Sequence, residues 1–302
     1  MPSDMKHLLL PLFLLVSCSA AAQPLEYSEI RTDSIHSRIL GEDVSFNVYL
    51  PQGYDAGSRK QYPAVYLLHG LTDTYEAWAT LGHMKDVVDE LIASGEAASM
   101  VIIMPNAGDP DCRNVWNGYF NVPGRAYESF FFDELMPAAE KRYHVRSDKQ
   151  HRAIMGLSMG GGGSTVYCQR HPDKFSSCYA MSPWLDNARV VVNDPSDPYY
   201  IDSDNPSDKL AAVCKSVLDN SAIRFVERAD EATLDKLRSV KWFIDCGDDD
   251  FLLDVSLKFY QTMRDHGVKA ELRVRDGWHG WEYWHQALRL SLPFASRNFG
   301  SD

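Results

Sequence analysis

Ala153-Ile154-Met155-Gly156-Leu157-Ser158-Met159-Gly160-Gly161-Gly162-Gly163 decides how this chain is read. A short apolar run ends at a glycine, a serine stands midway between two glycines, and a helical pattern carrying Val166 and Tyr167 follows. Strand, then G-x-S-x-G, then helix is the nucleophile elbow, a turn so tight that its flanking positions leave little room for a Cβ. The turn lifts the Ser158 hydroxyl above the end of its strand. It also aims the N-terminus of the next helix at the place where negative charge develops when a carbonyl is attacked. Glycine-rich turns serve plain structure as well, and it is the strand before and the helix after that make Ser158 a candidate nucleophile.

A serine hydroxyl is a poor nucleophile until a base takes its proton, and with an elbow of this kind the acid and then the base follow the serine in the chain. Of ten histidines, His266 precedes the last predicted strand, while Trp278-His279-Gly280-Trp281 and His285 follow it. His279 falls in the loop just after Arg275, where the base belongs; His285 falls within the helical pattern Trp281 to Leu290 and reads as packing or surface. The third member should be a carboxylate beyond the penultimate strand, holding the imidazole tautomer. Trp242-Phe243-Ile244-Asp245-Cys246-Gly247-Asp248-Asp249-Asp250 offers four: Asp245 reads as strand, Asp248 and Asp249 as the first loop residues, and pattern alone does not separate Asp249 from Asp250. Acyl transfer also needs donors for a tetrahedral oxyanion. The Met159 N–H is one; the Leu71 N–H, in Leu67-Leu68-His69-Gly70-Leu71-Thr72, is the other, with His69 shaping that turn rather than acting as a base.

Outward from the elbow, Ala64 to Leu68, Met100 to Met104, Cys178 to Met181 and Trp242 to Ile244 are short, nearly continuous apolar runs, as expected of strands covered on both faces. Val44, Phe46, Val48 and Leu50 alternate with Ser45, Asn47 and Tyr49, which predicts a half-buried strand. Ala270, Leu272 and Val274 alternate with charged residues and predict a strand near the sheet edge. Met84, Val87, Val88, Leu91 and Ile92 mark a helix stopped by Gly95; Tyr127 to Tyr143 marks another, with Pro137 as a kink or break; Val255 to His266 closes on Gly267. The alternation predicts a three-layer α/β fold, a mostly parallel central sheet flanked by helices. Residues 183–240 break the rhythm with Asn, Asp, Ser and Pro clusters and read as an insertion near the C-terminal end of the sheet, within one domain spanning 23–302. Its acidic residues lack the spacing of an EF-hand loop, and neither a metal nor a cofactor is expected.

At the N-terminus, Lys6 and His7 precede the run Leu8 to Val16, followed by small residues ending Ala20-Ala21-Ala22. This predicts a signal peptide over 1–22, hence an exported, periplasmic or secreted protein. Leu15-Val16-Ser17-Cys18 also fits a bacterial lipobox, in which Cys18 would carry a lipid anchor to the outer membrane. No later segment is apolar for long enough to span a bilayer. Five further cysteines, none at C-x-x-C spacing, read mainly as buried thiols. With 302 residues, 45% hydrophobic and 24% charged, the chain can bury a sizeable core, which excludes a disordered or disulfide-scaffold class. A net charge of −12 without a basic cluster argues against nucleic acid or an anionic membrane as partner.

Taken together, His69-Gly70-Leu71-Thr72, Tyr127-Glu128-Ser129-Phe130 through Glu134-Leu135-Met136-Pro137, Gly156-Leu157-Ser158-Met159-Gly160-Gly161, Cys246-Gly247-Asp248-Asp249-Asp250 and Gly277-Trp278-His279 resemble the esterase family that contains esterase D, the bacterial feruloyl and acetylxylan esterases and the mycolyltransferases. The resemblance covers about residues 40 to 297 and implies the α/β-hydrolase fold. It implies a triad of Ser158, Asp250 and His279, since the family's acid stands three residues after the glycine of C-G-x-x-D. The S-formylglutathione hydrolases of this family are cytosolic and carry a serine before the H-G glycine and a cysteine two residues after the leucine; here His69 and Asp73 stand there. An export signal fits instead the branch that removes feruloyl or acetyl groups from plant polysaccharide or oligosaccharide, through an acyl-enzyme. Trp116, Trp184, Trp278 and Trp281 are the candidate residues for holding a phenolic ring or sugar. An acyltransferase of the mycolyltransferase type would share every catalytic residue, and a non-catalytic glycan-binding protein would need a broken triad.

Overall fold

The computed structural model describes residues 24–107, 118–122, 124–185 and 219–301. The N-terminal segment 1–22 with Cys18, Trp116, and residues 186–218 of the 183–240 stretch lie outside these residues. Eight strands build one sheet: β1 (Glu29–Ser37), β2 (Glu42–Leu50), β3 (Ala64–Leu68), β4 (Val101–Pro105), β5 (Arg152–Leu157), β6 (Ser177–Met181), β7 (Lys241–Gly247) and β8 (Ala270–Arg275). They lie side by side in the order β1-β2-β4-β3-β5-β6-β7-β8. β2 is antiparallel to both of its neighbours, and every other pairing is parallel. This is the mostly parallel, helix-flanked sheet of an α/β-hydrolase.

Successive strand residues go to opposite faces, and both faces are covered. On one, Tyr49, Val65, Leu67, Ile102, Met155, Tyr179 and Phe243 meet helices α1 (Met84–Ser94) and α7 (Trp281–Arg297). On the other, Tyr66, Leu68, Ile103, Ile154, Cys178 and Ile244 meet α2 (Met136–Arg142), α3 (Met159–Arg170), α4 (Ala222–Glu227), α5 (Glu231–Arg238) and α6 (Leu253–Asp265). β8 is the expected edge strand, with Val274 exposed. Cys168, Cys178 and Cys246 are buried free thiols.

Three expectations are refined. The alternating β2 is not half-buried: Asn47 and Tyr49 are covered as well, because Asn47 donates to Tyr75 O and the Tyr49 hydroxyl donates to Asp89 at 2.6 Å. Polar side chains face a buried layer here because each has a partner. The run from Tyr127 is helical but breaks upstream of Pro137. A five-residue π turn, Phe131–Leu135, separates the turn Tyr127–Phe130 from α2, and its Met136 N–H donates to Phe131 O. Widening the turn there accommodates a proline that has no N–H to give. Finally, α4 and α5 fall within the stretch read as an insertion, yet Ile223, Val226, Leu234 and Leu237 pack into the main core layer and form part of the passage from β6 to β7.

The loop after β3 is shaped by His69, fully buried beside Tyr119. Ala107 N–H donates to its Nε2 at 3.0 Å, so the ring proton sits on Nδ1 and is given to Gly70 O at 2.8 Å. Burial pushes this imidazole down to about 4, partly offset by the bond to Gly70. A histidine held below its ordinary value of about 6.5 contributes stability in full above that pH and loses it as the pH falls toward the folded-state value. The melting temperature should therefore drop less between about pH 7 and about pH 4.5 in His69→Gln, whose amide still accepts and donates, than in the parent. Equal drops in thermal unfolding would place the acid sensitivity elsewhere.

Candidate active site

The carboxyl ends of the parallel strands gather the site at one edge of the sheet. Ser158 leaves β5 at φ +52°, ψ −117°, a conformation that side-chain-bearing residues rarely hold. Three backbone bonds keep it there: Ser158 N–H to Met181 O at 2.9 Å, and Gly162 N–H and Trp184 N–H to Ser158 O, each at 3.0 Å. The flanking glycines are explained by space. A Cβ at Gly156 would stand 2.5 Å from Gly160 O, and one at Gly160 would stand 2.5 Å from His69 O, so helix, elbow and the β3 loop meet backbone to backbone.

His279 Nε2 lies 3.0 Å from Ser158 Oγ, and Nδ1 lies 2.8 and 3.0 Å from the two oxygens of Asp250. A carboxylate only accepts, so Nδ1 carries the proton and Nε2 is left to take one from the serine. Burial would raise the Asp250 carboxyl, but hydrogen bonds from His279, Ser182 and the Leu252 N–H outweigh it and hold the group below the usual carboxylate range. The other three candidate acids do different work. Asp245, within β7, accepts from the Tyr179 and Tyr283 hydroxyls at 2.6 and 2.5 Å and from Arg275 at 3.1 Å. Asp248 accepts the Gly277 N–H at 3.0 Å, and the Asp249 N–H donates to Gly277 O at 3.0 Å, with both side chains exposed. Asp250, buried, is the one aimed at the imidazole.

The Met159 N–H opens α3, directly after Ser158. Leu71 follows Gly70, where an added Cβ would come within 3.7 Å of Ser158 Cβ, so this loop borders the serine. Asp73 closes the same loop, its carboxyl pushed up to about 6 by burial. Among the tryptophans, Trp184 is half-buried next to the elbow, Trp278 is exposed on the His279 loop, and Trp281 is packed edge-on between Trp78 and Trp284, one ring removed from His279. Trp116 lies outside the described residues. Three residues escaped the sequence reading. Phe251, 64% exposed, stacks obliquely 4.5 Å from the His279 ring and 6.4 Å from Trp184. Trp284 meets the His279 ring edge-on at 4.9 Å, and its indole N–H donates to Ser182 Oγ at 3.1 Å. A large apolar residue directly after a candidate acid was the available sign for Phe251; Trp284 and Ser182 gave none, since both read as ordinary buried positions.

Residues 37–295 match the model of the family described as "Putative esterase". A ferulic acid esterase of known structure is 48% identical, with a TM-score of 0.81 over 90% of this chain and 100% of that one. The endo-1,4-beta-xylanase/feruloyl esterase of Xylanibacter ruminicola is 30% identical over 159 residues, 52% of this chain but only 22% of that protein. The chain thus spans about a fifth of that curated relative. The diacylglycerol acyltransferase/mycolyltransferase Ag85B of Mycobacterium leprae is 24% identical over 76% of this chain and 74% of its own length. The S-formylglutathione hydrolase FrmB of Staphylococcus aureus, 18% identical at a TM-score of 0.70 over 89% of this chain and 99% of that one, shares the fold. With its sheet order, its elbow and this match, the chain belongs to that esterase family and is a serine carboxylic-ester hydrolase.

Proposed function

We propose that this protein is an exported esterase that removes feruloyl or related acyl groups from plant polysaccharide or oligosaccharide, working through Ser158, His279 and Asp250. The observation that carries the reading is the set of rings on the loops around His279: Phe251, 64% exposed, lies 4.5 Å from the imidazole, Trp184 borders both Phe251 and the elbow, and Trp278, 61% exposed, precedes His279 in the chain. Large apolar rings left in solvent around a nucleophile suit a flat aromatic or sugar face. The similarity to a ferulic acid esterase over its whole length favours the phenolic acyl group. The N-terminal pattern, a short apolar run ending in small residues, supports export.

In this mechanism Ser158 Oγ attacks the ester carbonyl while His279 Nε2 takes its proton, and Asp250 holds the resulting imidazolium. The N–H groups of Leu71 and Met159 receive the oxyanion. Collapse breaks the ester C–O bond, and the same proton passes to the departing sugar oxygen. Water, activated by His279, then attacks the acyl-serine and releases the carboxylic acid and free Ser158.

Ser158→Ala and Asp250→Asn should each lower kcat on methyl ferulate by about a thousandfold or more with folding intact. Parent turnover in either variant would remove the triad from the mechanism. Phe251→Ala should raise KM for methyl ferulate roughly tenfold, the worth of an aromatic contact, while leaving p-nitrophenyl acetate nearly unaffected. An equal loss on both substrates would assign Phe251 to the imidazole rather than to the acyl group. Product analysis with an added sugar alcohol separates hydrolysis from transfer, because an acyltransferase would give the new ester in place of the acid. Cell fractionation should find the protein outside the cytoplasm, and Cys18→Ala should release it from membranes only if Cys18 carries a lipid.

A further inference from the structure

The loop that follows β3 carries an acid that takes no part in the triad. Asp73 is half-buried, and its N–H closes a turn onto Gly70 O at 3.4 Å. Thr72, inside that turn, holds φ +69°, a left-handed value that a β-branched residue rarely adopts. Strain of that kind persists where the surroundings over-determine it, and it gathers at sites that hold ligands. In this loop it folds the chain back over Gly70. A Cβ built on Gly70 would stand 3.2 Å from Asp73 Oδ2 and 3.7 Å from Ser158 Cβ. Carboxylate and nucleophile therefore lie on the same side of that glycine, no farther apart than those two distances together.

The carboxylate is short of donors. Burial pushes it up to about 6, opposed only by the Gly70 main chain, and no cation or side-chain donor among the described residues offsets the loss of water. A negative group beside an oxyanion also works against the charge that develops there. Both costs fall when a ligand brings a hydroxyl, because a buried charge is tolerated once it is hydrogen-bonded.

An ester has two halves, and the order of the strands divides them. β5, which ends at Ser158, stands between β3 and β6. Trp184 follows β6, Phe251 follows β7 and Trp278 follows β8, so the rings assigned to the acyl group all lie on one side of the nucleophile's strand. Asp73 follows β3, on the other side. A feruloyl group carries its one hydroxyl at the far end of its ring, whereas a sugar carries hydroxyls within a few bonds of the esterified oxygen.

We propose that Asp73 is a specificity-determining residue: its carboxylate accepts a hydrogen bond from a hydroxyl of the departing sugar, on the side of Ser158 opposite the aromatic rings. The inference deepens the reading of this protein as an esterase of acylated sugars and rests on it.

Two esters of one acid test the role: methyl ferulate, whose alcohol has no second hydroxyl, and the feruloyl ester of methyl arabinofuranoside. The parent should favour the sugar ester in kcat/KM. Asp73→Ala should reduce that preference about tenfold to a hundredfold, the worth of a hydrogen bond to a charged group. Asp73→Asn, whose amide oxygen still accepts but without charge, should reduce it by less. A parent with no preference, or a preference that survives Asp73→Ala because both esters lose equally, overturns the proposal. The acetyl pair, methyl acetate and the acetyl ester of the same glycoside, repeats the comparison without the phenolic ring. A parent active on the acetyl pair alone fails the feruloyl reading, and the ratio measured there still decides Asp73. A parent that favours the feruloyl sugar ester while Asp73→Ala keeps that preference fails only the role of Asp73.

Discussion

One backbone conformation organises this molecule: Ser158 at φ +52° and ψ −117°, at the end of β5. A conformation of that kind costs on the order of 1–3 kcal/mol and must be held by its surroundings. Three main-chain hydrogen bonds hold it, from β6, from α3 and from Trp184. For them to form, α3 must approach β5 and the β3 loop at distances that exclude a Cβ at Gly156 and Gly160. The glycines, the central place of β5, and the register that sets Gly156 between Leu68 and Ala180 are consequences of that one constraint.

A second anchoring point joins the acid and base loops. Asp245 is fully buried, and its charge is tolerated because Tyr179, Tyr283 and Arg275 surround it with donors. Those donors come from β6, β8 and α7, so one carboxylate ties together the elements that carry Ser182, Asp250 and His279. The Arg275 guanidinium lies 4.0 Å over the Tyr283 ring, and that ring fills the space beside Gly277, where a Cβ would come within 2.6 Å. Asp248 and Asp249 then pair with Gly277 across the two loops. An aspartate inside a strand reads in the sequence as a poor catalytic candidate, and it is in fact the scaffold for the one three residues past Gly247.

What was legible in the sequence is what repeats or what steric exclusion dictates. The parallel strands announced themselves as continuous apolar runs because both faces are covered, and the elbow as glycines because nothing else fits. The reading of β2 missed the cover over Asn47 and Tyr49, since hydropathy does not count a hydrogen-bonded tyrosine as buried. Pro137 marked a break without its form, because the widened turn lies upstream of the residue that causes it. Asp249 and Asp250 could not be told apart by pattern: which carboxylate turns inward is fixed by the bonds of its neighbours to Gly277, 27 residues after Asp250 and on another strand's loop. Phe251, Trp284 and Ser182 were missed because their importance is purely one of placement around His279.

That placement divides the site into two parts with different physical rules. Ser158, Asp250, His279, Ser182 and Trp284 are locked to strand ends and to one another by hydrogen bonds of 2.8–3.1 Å or by direct ring contact, and three of them meet a single imidazole. Phe251, Trp184 and Trp278 stand on loops beyond the sheet, Phe251 and Trp184 in ring contact with each other and Phe251 and Trp278 largely in solvent. Groups that must align a proton within a few tenths of an ångström need directional bonds, whereas groups that cover a flat ligand need area and can shift. Substitutions among the rings can therefore alter which ester is accepted with little effect on the alignment beneath. His279 is where the two parts touch, its ring 4.5 Å from Phe251 and 4.9 Å from Trp284, so a ligand that stacks on Phe251 lies against the same imidazole that the directional bonds align.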